Sequence, residues 1–581
     1  MAALTPNTYD FIVVGGGTAG NVVAGRLAEN ADVKILVIEA GIGNPDDIPE
    51  ITTPARAFEL RNSKYDWSYQ TTFVDRPDYE RVEKTNTRGK VLGGNSSLNY
   101  FTWIRGSRET FDAWQAYGGD EWTWEKCKHY FQKAQHPASY HDGERMYDPR
   151  FSKIGREGPL HISHANLLPE TRSFRDALTQ AWTSKGHELK EDIYNGRLEG
   201  MTYCVSTVYD GVRSSSAVYA TGKYNVEIMH STVATKINFE GDTAVSVTVA
   251  GTDHNETTLK ATKEIIIAGG VFETPKLLLL SGIGPRRELA RHGIQPVITS
   301  EHVGEHLLDH PILPHVFKLK DGMGLDHILL REGPAHDAAV TQYDKDKTGP
   351  LASGLLEMIA FPRIDGQLEE HEKYRKARTN NGGQDPFGPG GQPHFEIDFI
   401  PMFCDAFQWH FVAPPEGDWL TVVVDLLHPQ SKGGHVRLNS IDPREQPDIN
   451  LNYFTDKLDI LALREGVRFI DDILMNGDGM KEIIAEDFPW PMPRESDEEM
   501  DLLILDRAQT GYHPCGTARL SRNIDQGVVD SELRVHGAKR LRIVDSSIIP
   551  VIPDCRIQNA VYMIGEKGAD IIKAAYPELY K

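Results

Sequence analysis

The chain has 581 residues, and its 62 Lys and Arg against 84 Asp and Glu give a formal charge of −22. At roughly 150 residues per domain the length predicts two to four domains, and 40% apolar residues are ample for a sizeable core. No apolar run approaches the ~18 residues of a membrane span, and no basic cluster offsets the acidity, so membrane integration and nucleic-acid binding are disfavoured.

Met1–Thr8 is short and polar, leaving no room for a signal peptide before the first expected strand. Five widely spaced cysteines without a CxxC pair read as reduced thiols, and the ending Glu578–Lys581 is not the common peroxisomal one. These features make the cytoplasm the expected location.

In chain order, Tyr9–Val14 reads as a buried parallel strand, Gly15-Gly-Gly17-Thr18-Ala19-Gly20 as a glycine turn, and Asn21–Glu29 as a helix. Val33–Ile38 is a second strand, ending at Glu39. In such a unit the first glycine permits the tight turn, the second lets backbone approach a pyrophosphate, and the third lets helix and strand pack closely. Glu39 stands 19 residues beyond Gly20, where a carboxylate accepts ribose hydroxyls. The pattern predicts a bound dinucleotide.

Asn255-Glu-Thr257 fits a glycosylation acceptor, which is idle without secretion. His306 and His310 stand four apart like metal ligands, but Pro311 follows at once and a structural role is favoured; no metal is expected. Asn380–Pro393 is a Gly/Pro-rich loop, read as a surface excursion in preference to a lid. Leu420–Leu427 and the turn at Ser431–Gly434 point to an antiparallel sheet away from the nucleotide fold. Ser496, three residues before Glu499, reads as a helix cap.

Separated segments then converge on one family. Gly89-Lys-Val-Leu-Gly93-Gly94-Asn-Ser-Ser-Leu-Asn99, with Trp103 and Gly106, resembles the first signature of the glucose–methanol–choline (GMC) flavoprotein oxidoreductases, and Gly270–Gly284 resembles the second. Val303–Pro311, His513–Thr517, Leu541–Ser547 and Met563–Lys567 follow in the family's order. The resemblance implies a fold that is α/β plus α+β. A Rossmann-like FAD-binding domain of discontinuous segments (1–160, 220–315 and 530–581) would be interleaved with a substrate domain on an antiparallel sheet (161–219 and 316–529). Carried over, Gly15, Gly17, Thr18, Ala19 and Gly20 would hold the pyrophosphate, with Asp545 near it. Glu39 and Ala40 would meet the adenosine ribose and Ala234 the adenine. Trp67, Gly93, Gly94, Asn99, Tyr100 and Gln558 would complete the cofactor site. Asn95 and Val271 depart from the commoner small residues of the two signatures. Leu98 stands where covalent members carry the flavin-linking histidine, so the FAD is expected to be noncovalent.

The resemblance makes His513 the catalytic histidine. The second catalytic position, seven residues before Met563, is histidine or asparagine in the family; here it is Arg556. Arginine is always charged, presents a planar fork of donors that matches a carboxylate, and is no general base. The pair therefore predicts an anion site. Formate is the smallest carboxylate with a hydride on its carboxyl carbon, and the His513/Arg556 pair resembles the formate-oxidising members of the family. Hydride transfer to flavin N5 would release carbon dioxide, and molecular oxygen would be reduced to hydrogen peroxide, helped by a protonated His513. A cation beside the flavin also favours loss of a proton from the 8-methyl group, hence its oxidation. The alternatives are an alcohol oxidase or dehydrogenase, a light-driven decarboxylase or a lyase on the same scaffold, or an Arg556 turned away into an ion pair with nearby Asp554.

Overall fold

The computed structural model describes residues 7–137, 157–165, 167–190, 192–405, 411–487 and 491–580. The opening unit forms as its residues dictate. The strand Thr8–Val14 runs into the helix Thr18–Leu27, and the strand Ile35–Ile38 returns parallel to the first. The helix begins three residues earlier than expected, directly on the glycine turn. Its start lacks any side-chain cap, which leaves first-turn N–H groups without intrahelical partners.

These two strands sit inside a sheet of seven strands among the described residues. The order is Val226–Met229, Ile35–Ile38, Thr8–Val14, Glu256–Ile267, Thr243–Ala250 and Val233–Glu240, with Leu541–Ile543 paired to the end of Glu256–Ile267. The inner strands are parallel and read as continuous apolar runs because both faces are covered. The final helix, Gln558–Ala575, packs on Thr18–Leu27; a Cβ at Gly565 would stand 2.9 Å from that of Val22. Arg26 donates to Glu566 at 2.7 Å across this contact, so the helix start, with Arg556 just before it, is brought to the glycine turn's end of the sheet.

A second sheet is antiparallel throughout. Its order is Ile484–Glu486, Pro311–Leu319, Asp418–Leu426, Phe395–Ile400, Met358–Phe361 and Gly200–Tyr203, with Gln509–Thr510 paired to the start of Pro311–Leu319. The antiparallel sheet expected from Leu420–Leu427 is therefore present. Period-two alternation divides its strands. Phe395, Ile397, Phe399, Leu420, Val422 and Val424 enter the core shared with the helix Lys457–Asn476, whereas Glu396, Asp398, Val423 and Asp425 take the opposite face.

The interleaving is finer than the expected boundaries. Pro311–Leu319 crosses residue 315 yet lies wholly in the second sheet. The hairpin Tyr69–Arg76/Tyr79–Asn86, from the first expected FAD segment, pairs with Asp448–Tyr453 from the substrate segment. The cause is long-range strand pairing, which composition along the chain does not record. The Asn380–Pro393 loop lies outside the cavity described below and is anchored by fully buried Phe387 and by Asp385, which accepts from Arg363 at 2.8 Å. Ser496 caps the helix Asp497–Arg507 by accepting from Glu499 N. All five cysteines are free and buried. Among the described residues, no helix is long and apolar enough to cross a membrane.

On the far face of the second sheet, His315 lies between Asp471 and Asp487, at 3.1 and 2.7 Å. Burial pushes the imidazole down, but Asp471 and then Asp487 prevail and raise it to about 9. Its folded-state pKa thus exceeds its ordinary 6.5, so its contribution to stability is complete below that value and is lost as pH rises through about 9. Melting curves should show the stability deficit of His315→Gln largest near pH 6 and shrinking toward about pH 10. A deficit constant with pH would mean that the histidine is not charged in the fold.

Candidate active site

One continuous cavity runs between the two sheets. It is lined at one end by Gly15, Gly17, Thr18, Ala19, Glu39, Ala40 and Ala234, and at the other by Tyr100, Asp398, Asp425, His513, Arg556 and Gln558. Trp67, Gly94, Asn99 and Asp545 line it as well. Gly20 and Gly93 do not. A Cβ on Gly20 would meet the Gly15 carbonyl oxygen at 2.0 Å, and Gly93 (φ +94°) donates its N–H to Gly16 O at 2.7 Å. Both shape the turn from behind.

The glycine end is built to admit a phosphate chain. Gly15 adopts φ +106°, and a Cβ there would lie 2.3 Å from Ala268 O. A Cβ on Gly17, in contrast, would meet only Gly94 Cα, at 4.0 Å. The room above Gly17 belongs to the cavity and faces the uncapped helix start, which favours an anion. Glu39 accepts from Gly16 N at 3.0 Å and Gly41 N at 2.7 Å, and burial raises it to about 7.

Asp545 lines the cavity and also braces the protein around it. Its carboxylate accepts from Gly270 N, Thr274 Oγ1 and Ser547 N at 2.9, 2.6 and 2.8 Å. It caps the helix Gly270–Leu280, so its oxygens are committed to the protein. Asn99 donates to Gln558 Oε1 at 2.6 Å and accepts from Arg213 Nη1 at 3.0 Å. Arg213, which sequence reasoning missed, also donates to Ile51 O and Asn99 O, fixing the loop on which Asn95–Asn99 sit. The departures are absorbed locally: Asn95 Oδ1 accepts from Gly89 N, and Val271 O from Thr517 Oγ1.

The other end is lined by both His513 and Arg556. Arg556 does not pair with Asp554, which instead accepts from Ser107 N at 2.8 Å. Its Nε lies 2.9 Å from Glu396 Oε1, while its two terminal nitrogens reach Asp398 and Thr102. The guanidinium is both a cavity wall and half of a buried ion cluster. Glu396 faces Asp425 directly across the strand pair. Burial raises all three carboxyls and Arg556 opposes this at each; at Asp425 Glu396 and Asp398 add to the rise more than Arg556 subtracts from it.

His513 N donates to Asp309 Oδ1 at 2.9 Å, and Asp309 Oδ2 accepts from Thr510 and Tyr453 hydroxyls. The ring Nδ1 lies 3.0 Å from His310 Nδ1 and 3.6 Å from Asp425 Oδ2. Burial, His310, Arg556 and Arg88 together hold His513 well below 6.5. This lowering favours the neutral imidazole. His310 is pushed down to about 3, chiefly by burial. His306 turns away to His302, 2.8 Å from ring to ring, because the 303–310 segment is not helical. The spacing of four therefore places His306 and His310 in different surroundings. His310, Asp425 and His513 are near enough together to embrace a cation, yet Arg556 already supplies positive charge beside them.

Sequence reasoning thus gave His310 only a structural role and missed Asp309, Arg88, Glu396, Asp398 and Asp425. A signal existed for the last three: Phe395-Glu-Ile-Asp-Phe-Ile400 and Val422-Val-Val-Asp425 are acids spaced along otherwise apolar strands.

The fold and this cavity define a dinucleotide-binding oxidoreductase. Residues 9–312 and 429–565 match the N- and C-terminal regions of GMC oxidoreductases. The chain belongs to that family and is an FAD-dependent oxidoreductase. It is 33% identical to pyranose dehydrogenase of Agaricus xanthodermus, over 98% of this chain and 93% of that one. A crystal structure of formate oxidase superposes with a TM-score of 0.97 at 56% identity, covering 100% of both chains. A variant of the Aspergillus oryzae RIB40 formate oxidase with an arginine replaced by alanine, studied for its effect on FAD modification, is equally similar at 56% identity, 100% coverage and a TM-score of 0.97.

Proposed function

We propose that this chain oxidises formate to carbon dioxide and reduces oxygen to hydrogen peroxide. The observation that carries it is Arg556 lining the cavity together with His513, at a position that is histidine or asparagine elsewhere in the family. The 56% identity to formate oxidase supports the same substrate. Arg556 would hold both oxygens of the anion and direct its C–H bond, and His513 would hold one edge of the substrate by a hydrogen bond. Gly15, Gly17, Thr18, Ala19, Glu39, Ala40 and Ala234 would hold the nucleotide, and Trp67, Asn99, Tyr100 and Gln558 the flavin. Bound there, FAD supplies a two-electron acceptor that oxygen reoxidises.

One observation favours a second reading. Glu396 and Asp398 already engage Arg556, which suits an uncharged alcohol with His513 as base. Anaerobic mixing of the yellow protein in the dark with formate, and separately with alcohols, distinguishes the two. Bleaching by formate and recolouring on admission of air is the expected result; bleaching only by alcohols overturns it.

Leu98 lines the cavity at the position of the covalent histidine and offers no nucleophile. Acid precipitation should leave the flavin in the supernatant. The FAD modification studied in the Aspergillus oryzae enzyme supports a modified flavin here, for which oxidation of the 8-methyl group is our proposal, so mass spectrometry of the released flavin should show a species other than FAD. A yellow pellet, or unmodified FAD alone, would refute the respective expectation.

A further inference from the structure

Charge on the substrate end of the cavity does not balance in the way an anion site requires. Arg556 is one cation; Glu396, Asp398 and Asp425 are three buried carboxyls, at 1%, 4% and 5% exposure. The other charged and titratable groups facing Asp425 do not redress this. His310 Nδ1 (3.8 Å) and His513 Nδ1 (3.6 Å) belong to rings that burial holds below their ordinary range, and Asp309 lies behind them. Cys555 stands beside Arg556 with its thiol held well above its ordinary value by burial. Arg88, the other guanidinium lining the cavity, is answered by Asp309 and Asp66. Oδ1 of Asp425 and Oδ1 of Asp398 have no hydrogen-bond partner. A carboxylate that grips Arg556 must displace Asp398 or share the guanidinium with it, and a buried carboxylate deprived of its cation is stable only when protonated.

Taking formate as the substrate, we propose that the anion enters with one proton, and that Asp425, in concert with Glu396 and Asp398, holds it. The overall reaction has a place for that proton. Formate, oxygen and one proton give carbon dioxide and hydrogen peroxide: the C–H bond breaks, its electron pair passes from carbon to oxygen, and the proton drawn in with the anion completes the peroxide. Asp425 adjoins His513 and is placed to return the proton to the cavity. Three acids on one face of an antiparallel pair thus serve as a reservoir that lets an acidic pocket accept an acidic substrate.

Formate alone cannot test this, since uptake of formic acid and uptake of formate by a protonated protein have the same pH dependence. Nitrate separates them. It is a planar oxyanion that stays unprotonated in water and has no C–H bond. Nitrate is titrated into the holoenzyme, with flavin absorbance giving Kd between about pH 5 and 9, and calorimetry in two buffers of different ionisation enthalpy giving protons taken up. Expected on the alkaline side, where the cluster is ionised before the anion arrives, are an uptake approaching one proton and a Kd that climbs about tenfold per pH unit. Asp425→Asn, permanently neutral, should flatten the profile and lose the uptake; Glu396→Gln should reduce both. A pH-independent Kd in the parent, no nitrate binding, or an undiminished slope in both variants overturns the proposal. Failure of the formate assignment looks different: nitrate would still bind with a proton while formate failed to bleach the flavin.

Discussion

Arg556→Ala is expected to lose about a hundredfold or more in kcat/KM for formate. A charge-assisted hydrogen bond contributes roughly 1.5–3 kcal/mol, and each 1.36 kcal/mol is about tenfold in rate, so losing a two-pronged grip removes at least that much. Stability should fall too, because Glu396 and Asp398 lose the cation they share. Both carboxyls are already raised by burial. With the guanidinium gone they rise further and protonate, which limits the damage at acid pH and deepens it at alkaline pH. The melting temperature of Arg556→Ala should therefore drop more at about pH 8.5 than at about pH 6. Arg556→Lys keeps the charge without the planar fork, so it should bind formate and turn it over slowly, while melting close to the parent. Formate kinetics on flavin-saturated protein, with melting curves at both pH values, check this. If Arg556→Ala oxidises formate at the parental rate while only its stability suffers, the arginine is a strut between strands and the substrate is held elsewhere.

What was legible in the sequence is what local physics encodes. Tyr9–Glu39 could be read because a strand, a glycine turn, a helix and a strand follow one another within thirty residues. Only glycine fits where Gly15 and Gly20 stand, against Ala268 O and Gly15 O. The antiparallel strand at 418–426 could be read from its apolar run. Arg556 was found by counting back from Met563, and it lines the cavity just before the last helix. Its partners could not be found that way, since Asp554 is near in sequence but Glu396 and Asp398 are near in space.

That difference explains most of what was missed. Glu396, Asp398 and Asp425 converge because two strands pair antiparallel with 396 opposite 425, a register set by hydrophobic faces rather than by any motif. Their alternation in an apolar strand was visible, but the direction of that face was not. His310 was given a structural role because Pro311 follows it at once, and nothing in that segment shows that the chain turns its ring toward His513. The protonation of His513 likewise depends on neighbours from three separate segments. No single stretch of sequence states that burial, His310, Arg556 and Arg88 will keep its ring neutral.

The neutrality of His513 shapes the last expectation. Its Nδ1 shares the 3.0 Å contact with His310 Nδ1, so one ring must present a hydrogen and the other a lone pair. With both rings held below their ordinary range, the dyad carries no extra proton through the physiological interval. A ring whose pKa is depressed loses its proton below 6.5; the activity profile should therefore show no histidine limb near that value, and any limb on the alkaline side belongs to the carboxyl cluster. His513→Ala should fold and keep its flavin, because the side chain packs against the cavity rather than inside a core. Its turnover of formate should fall by about 10²–10⁴-fold, the usual range for a lost proton-transfer or orienting group. The loss should appear in kcat more than in KM, since Arg556 still holds the anion and only its alignment suffers. Steady-state rates across pH for parent and variant, with flavin content measured on the same samples, decide it. Turnover within about threefold of the parent, against that range, would take His513 off the reaction path.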